Sequence, residues 1–142
     1  MIRQTITLPD YGGWTIYGYY ATTQYAVDEI MERLWEVGVD GTRAREAYES
    51  LRGGKLDTGL CYSNYLTRKS VFVVALTSSP AEFFNSLVHE VAVHLCMHIA
   101  TALHIDVKSE DYAYLVGDLC REIYPSVKHL LCDCCKKSVK YE

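Results

Sequence analysis

The sequence predicts an α+β domain: a small sheet of three to four strands packed on a buried central helix. Three observations carry this prediction. Two N-terminal segments rich in Ile, Thr and Tyr flank a Pro-Asp-Tyr-Gly-Gly turn. Residues 70–76 (SVFVVAL) form an unbroken apolar run, the pattern of a strand covered on both faces. Residues 79–103 open with helix-start chemistry and are apolar around most of a helical circumference, as a buried helix must be.

Residues 2–8 (IRQTITL) alternate and read as a strand. Pro9 removes a donor, Gly12 and Gly13 permit positive φ, and Trp14 to Tyr20 returns as the second strand of a hairpin. A helix follows, capped by Thr22 or Thr23. Val27, Ile30, Met31, Leu34 and Val37 recur at helical spacing, and Gly38 ends it. A short helix is expected from Thr42 to Leu51, followed by Gly53-Gly54. Residues 58–63 (TGLCYS) and 70–76 read as strands. Ser79, Pro80 and Glu82 then place a cap, a first-turn proline and a capping box at the head of the central helix. Ser109 caps the next helix, whose apolar face holds Tyr112, Val116, Leu119, Cys120 and Ile123, and Pro125 is expected to stop it. With no repeat or linker, residues 1–142 read as one domain, ending in a basic, Cys-containing tail (132–142).

The 142 residues are 49% apolar and 23% charged, which excludes a disordered chain. A net charge of −4 argues against a broad nucleic-acid footprint. No uninterrupted apolar run reaches the roughly 18 residues of a membrane span, and the N-terminus lacks a signal-peptide core. A cytoplasmic protein without nucleic-acid or membrane partners is the expectation. Six cysteines are placed badly for a disulfide framework and are read as reduced thiols. Cys132 and Cys135 have CxxC spacing, but there is no second pair to complete a structural zinc site, and a helix C-terminus opposes a thiolate. Twelve tyrosines suit half-buried strand and interface positions, consistent with a protein or peptide partner or a homo-oligomer.

The central helix carries four polar residues that its apolar surroundings do not explain: His89, Glu90, His94 and His98. Two histidines at i and i+4 on a helix reach one zinc ion, and in HExxH the Glu polarises the bound water. This chain has HExxxH. In a regular helix His89 and His94 point about 140° apart and cannot share an ion. Two arrangements repair this. A π-bulge can absorb the extra residue and pair His89 with His94, leaving Glu90 as general base. Alternatively the helix stays regular, His94 pairs with His98, and Glu90 adds a ligand or orients His94. Glu110, beside Ala113 and Gly117 on the next helix, is a candidate third ligand, as is His98.

The runs TGLCYSNY, TSSPAEFFNSLVHE, HLCMHIA, EDYAYLVGDL and LLCDCC, in this order over residues 14–135, resemble a family of uncharacterised zincin-like proteins of gut Bacteroidales and their phages. The resemblance implies a few strands, an active-site helix and a following helix that brings an acidic ligand. The family pattern is nearer HExxHLxxHI, so His89, Glu90, His94 and His98 match it and the extra residue after Glu90 is the departure. Two functions follow from the resemblance and the residues together. One is a small zinc-binding, metallopeptidase-like protein: His89 and His94 on zinc, Glu90 as base, Glu110 or His98 as third ligand. The other is a catalytically inactive, zincin-derived structural or interaction protein, as a phage-encoded component would be.

Overall fold

The hairpin at the N-terminus forms because its two strands present matching apolar faces across a tight turn. A computed structural model describes residues 1–23, 26–53 and 59–133 of the chain. Strand β1 (Ile2–Leu8) pairs antiparallel with β2 (Trp14–Thr22), from Ile2 opposite Tyr20 to Leu8 opposite Trp14. One 3-10 turn at Pro9–Tyr11 joins them, and Gly12 takes the left-handed conformation (φ 67°) that closes it. Two helices follow, α1 (Val27–Val37) and α2 (Gly41–Arg52), then β3 (Gly59–Asn64) and β4 (Lys69–Ala75).

The architecture is α+β on a four-stranded mixed sheet of order β1-β2-β4-β3. β4 lies between β2, to which it is parallel, and β3, to which it is antiparallel. Its central position explains the unbroken apolar run. Val71 and Val73 face one side and Phe72 and Val74 the other, and all four are buried. Ile30, Leu34 and Val37 of α1 and Ala44 and Leu51 of α2 cover the Val71/Val73 face. The opposite face, with Ile16, Tyr20, Phe72 and Val74, is covered by the long central helix and by α5 (Glu110–Val127). That leaves β3 as an edge strand with helices on both sides of it.

The central helix is three segments end to end: α3 (Pro80–Val88), a π-helical stretch (His89–Leu95) and α4 (Cys96–Leu103). Ser79 is its cap, accepting from the Glu82 backbone N–H at 3.2 Å. At 24 residues and mean hydropathy 1.3, Pro80–Leu103 is long and apolar enough to cross a membrane by length and composition alone. Here its apolar side packs on the sheet and on α5.

Two expected boundaries are corrected. Neither Thr22 nor Thr23 caps α1. Thr22 continues β2, opposite Ala75 after a bulge at Ala21 (φ 57°), and the residue at the cap is Ala26. Nor does Pro125 stop α5 (Glu110–Val127), which runs two residues beyond it into a 3-10 turn at Lys128–Leu130. The proline removes a single donor in the last turn, and Val127 and Leu130, both buried, hold the chain against the core past it. The basic tail from residue 134 onward, with Cys134 and Cys135, lies outside the described residues.

Gly59 opens β3 where no side chain fits. A Cβ there would stand 1.8 Å from the Val73 carbonyl oxygen and 3.1 Å from Cγ of Glu90. Gly59→Ala is therefore expected to splay β3 from β4 and cost about 1–3 kcal/mol. Urea denaturation measures it, and an unchanged midpoint would contradict this pairing.

Candidate metal centre

The extra residue of HExxxH is absorbed by the backbone. Through α3 the ladder is regular, with the His89 N–H donating to Asn85. At the far end of the π segment the Cys96 N–H donates to the Val91 carbonyl, five residues back rather than four. This wider turn brings residues five apart onto one line. His89 Nε2 and His94 Nε2 approach to 3.2 Å, with ring centroids 4.9 Å apart. A wide turn disturbs carbonyls that an α-helix would satisfy, and α5 supplies a replacement donor: the Tyr112 hydroxyl donates to the Ala92 carbonyl at 2.7 Å.

His89, Glu90 and His94 form a group that can hold a metal ion. Their ligand atoms lie within 4.8 Å of one another. His89 is exposed and His94 half-buried, while Glu90 is only 2% exposed. They line a cleft of about 510 Å³ that wraps the outer edge of β3. Its opposite wall is α2, through Arg43, Glu46 and Ser50.

His98 is elsewhere. Its Nδ1 lies 2.8 Å from Ser63 Oγ and 3.7 Å from Cys61 Sγ, both on β3. Ser63 Oγ is 2.6 Å from Ser70 Oγ, which accepts from Trp14 Nε1 at 2.8 Å. The arrangement in which His98 pairs with His94 on a regular helix is thus not the one adopted, and His98 stands outside the metal-capable group. Burial, then the positive neighbours His94 and Arg43, hold the His98 imidazole below the ordinary histidine range. Burial also pushes the Cys61 thiol far up, and the Glu90 charge adds to this, so Cys61 remains an S–H. Glu110 is exposed in the first turn of α5, where the helix dipole suits an acid, and it too lies outside the group. Cys61, Cys96 and Cys120 are free thiols; Cys135, the partner of Cys132 in the CxxC spacing, lies outside the described residues.

Sequence reasoning missed the far wall of the cleft. Arg43, Glu46 and Ser50 are polar positions on a short helix, with nothing in their spacing to separate them from solvated surface. The β3 contribution was findable. Gly59, Cys61 and Ser63 alternate, so they share the face turned to the histidine helix.

Two outcomes test this site. Deleting Val93, which is 53% exposed, restores HExxH and removes the need for the wide turn. The variant is expected to stay folded within about 2 kcal/mol of the parent, because Leu95, Cys96 and Ile99 keep facing the core. A regular parent helix would instead be rotated by about 100° past the deletion and would unfold. For His98, a lowered folded-state pKa means that the unfolded chain takes the proton first. Stability should therefore fall as pH drops below about 6.5 and level off once folded His98 is protonated. Denaturation midpoints of His98→Gln should lack this part of the pH dependence. No family model, curated protein or solved structure matches the chain.

Proposed function

We propose that the protein is a zincin-like metalloprotein that binds one zinc ion and hydrolyses peptides in the cleft beside β3. The observation that carries this reading is the π segment, which aims two imidazole nitrogens five residues apart at one point beside a buried carboxylate. Two imidazole nitrogens aimed at one point are donors that suit zinc, and Glu90 stands beside them. His89 and His94 would hold the ion, which when bound supplies Lewis acidity and lowers the pKa of water. Glu90, adjacent and buried, takes the proton of the attacking water. Its burial keeps the carboxylate from bulk solvent, and β3 and Gly59 fix its position. The free edge of β3 offers backbone donors and acceptors for an extended peptide. The mixed sheet, the histidine helix behind its edge strand and the following α5 support the zincin-like reading.

A second reading keeps the metal without the hydrolysis. Among the described residues only Glu90 joins the two histidines, since His98 is engaged by Ser63 and Glu110 is exposed. If Glu90 is itself the third ligand, no base remains, and the site is structural or serves an interaction.

Zinc titration of chelator-treated protein separates these. Under the first reading one equivalent binds, and His94→Ala weakens it by about a hundredfold or more. Glu90→Gln keeps the metal and abolishes peptide cleavage. Under the second reading Glu90→Gln loses the metal. Failure of the parent to take up zinc would end both.

A further inference from the structure

A second cleft of about 390 Å³ continues along the edge of β3 from the first. Arg43 and Tyr62 line both. The second is otherwise formed by Ser63, Asn64, Tyr65, Leu66 and His98, and its lining is mostly polar. None of its side chains carries a negative charge.

The hydrogen-bond chain behind His98 sets what this cleft presents. Trp14 Nε1–H can only donate, and it donates to Ser70, which is fully buried. Among the described residues the Ser70 side chain has one other partner, Ser63. If Ser63 donated to Ser70, the Ser70 hydroxyl proton would be left in the core without an acceptor, at a cost of about 1–3 kcal/mol. Ser70 therefore donates to Ser63, and Nδ1 of His98, 2.8 Å from Ser63 Oγ, is assigned as the acceptor at the end of the chain. Cys61, held as a thiol, approaches the same nitrogen. A neutral imidazole that accepts at Nδ1 carries its proton on Nε2. The two ring nitrogens point away from one another, so with Nδ1 turned to Ser63 the Nε2–H is turned from it, on a ring that lines the cleft beside Tyr65.

The cleft thus combines a fixed neutral N–H donor with the guanidinium of Arg43. That guanidinium stacks 5.8 Å over the Tyr62 ring and its Nε lies 3.7 Å from Asp40. Asp40 meanwhile spends its other oxygen capping α2. We propose that this second cleft is a carboxylate-binding subsite, built on Arg43 and His98, that selects an acidic residue of a peptide lying along β3. One guanidinium and one neutral donor match a single negative charge rather than a phosphate dianion. The inference does not require a metal in the neighbouring site.

The test uses the full-length protein, ¹⁵N-labelled and chelator-treated, with a matched pair of probes: acetyl-glutamate amide and acetyl-glutamine amide. The glutamate probe is expected to shift the His98 ring and Arg43 guanidinium signals saturably, and its glutamine isostere to leave them in place. Arg43→Gln, at an exposed position, should keep the amide spectrum and weaken glutamate binding about tenfold or more. The His98 nitrogens should report an unprotonated Nδ1 and a protonated Nε2, and Ser63→Ala should lose that bias. Equal response to both probes, tighter binding of inorganic phosphate, no saturable response, or a proton on Nδ1 would each overturn the proposal. Repeating the titration with zinc present shows whether the neighbouring site is loaded, so an absent metal and an absent carboxylate subsite give different results.

Discussion

The spacing of one helical turn governs this molecule. A helix buried on most sides has to keep its apolar residues on the core across its whole length, and one extra residue rotates everything beyond it by about 100°. The π segment from His89 to Leu95 takes up that rotation locally. Phe83 and Leu87 before it, and Leu95, Cys96 and Ile99 after it, therefore all reach the same apolar core. The price is a disturbed carbonyl ladder, and the Tyr112 hydroxyl on Ala92 offsets it with a bond worth about 1 kcal/mol. The same wide turn that preserves packing brings His89 and His94 together. Fold and site depend on one backbone adjustment.

The sheet determines where that adjustment can be used. β3 is an edge strand with helices on both of its sides. Side chains from the two faces meet along its edge. Cys61 and Ser63 come from the histidine side, Tyr62 from the α2 side, and Arg43 reaches both clefts from α2. Polar groups can be concentrated along this edge because their buried ends are satisfied inward. Trp14 and Ser70, both fully buried, anchor the chain that ends on His98. Without that inward anchoring, a half-buried imidazole beside the core would have to find its partner in water.

Legibility from sequence follows the same physics. The strands were readable because alternation and an unbroken apolar run report directly on how many faces are buried, as Val71 to Val74 show. The Ser79 cap was readable because its chemistry is local. Helix limits set by tertiary contact were not: Thr22 is drawn into the parallel ladder with β4, and α5 is carried past Pro125 by Val127 and Leu130. The histidine pair was readable only as one of two arrangements. Spacing forbids a regular-helix pair at i and i+5 but does not choose between bulging and using His98. Tertiary contacts make that choice, through Tyr112 from α5 and Ser63 from β3. Glu110 shows the opposite failure: small neighbours permit a close helix approach without requiring one.

Burial of Glu90 gives the site its chemical direction. A carboxylate this deep, beside the Cys61 thiol and under the β3 backbone, loses most of its hydration. Such a charge persists only beside a compensating positive charge or good donors. Two imidazoles stand within 4.8 Å of it, their Nε2 atoms 3.2 Å apart. The zinc ion proposed above, held by these two imidazoles, would bring such a positive charge beside Glu90. The wide turn that packing imposes is thus also what brings the paired rings and the buried acid to one place.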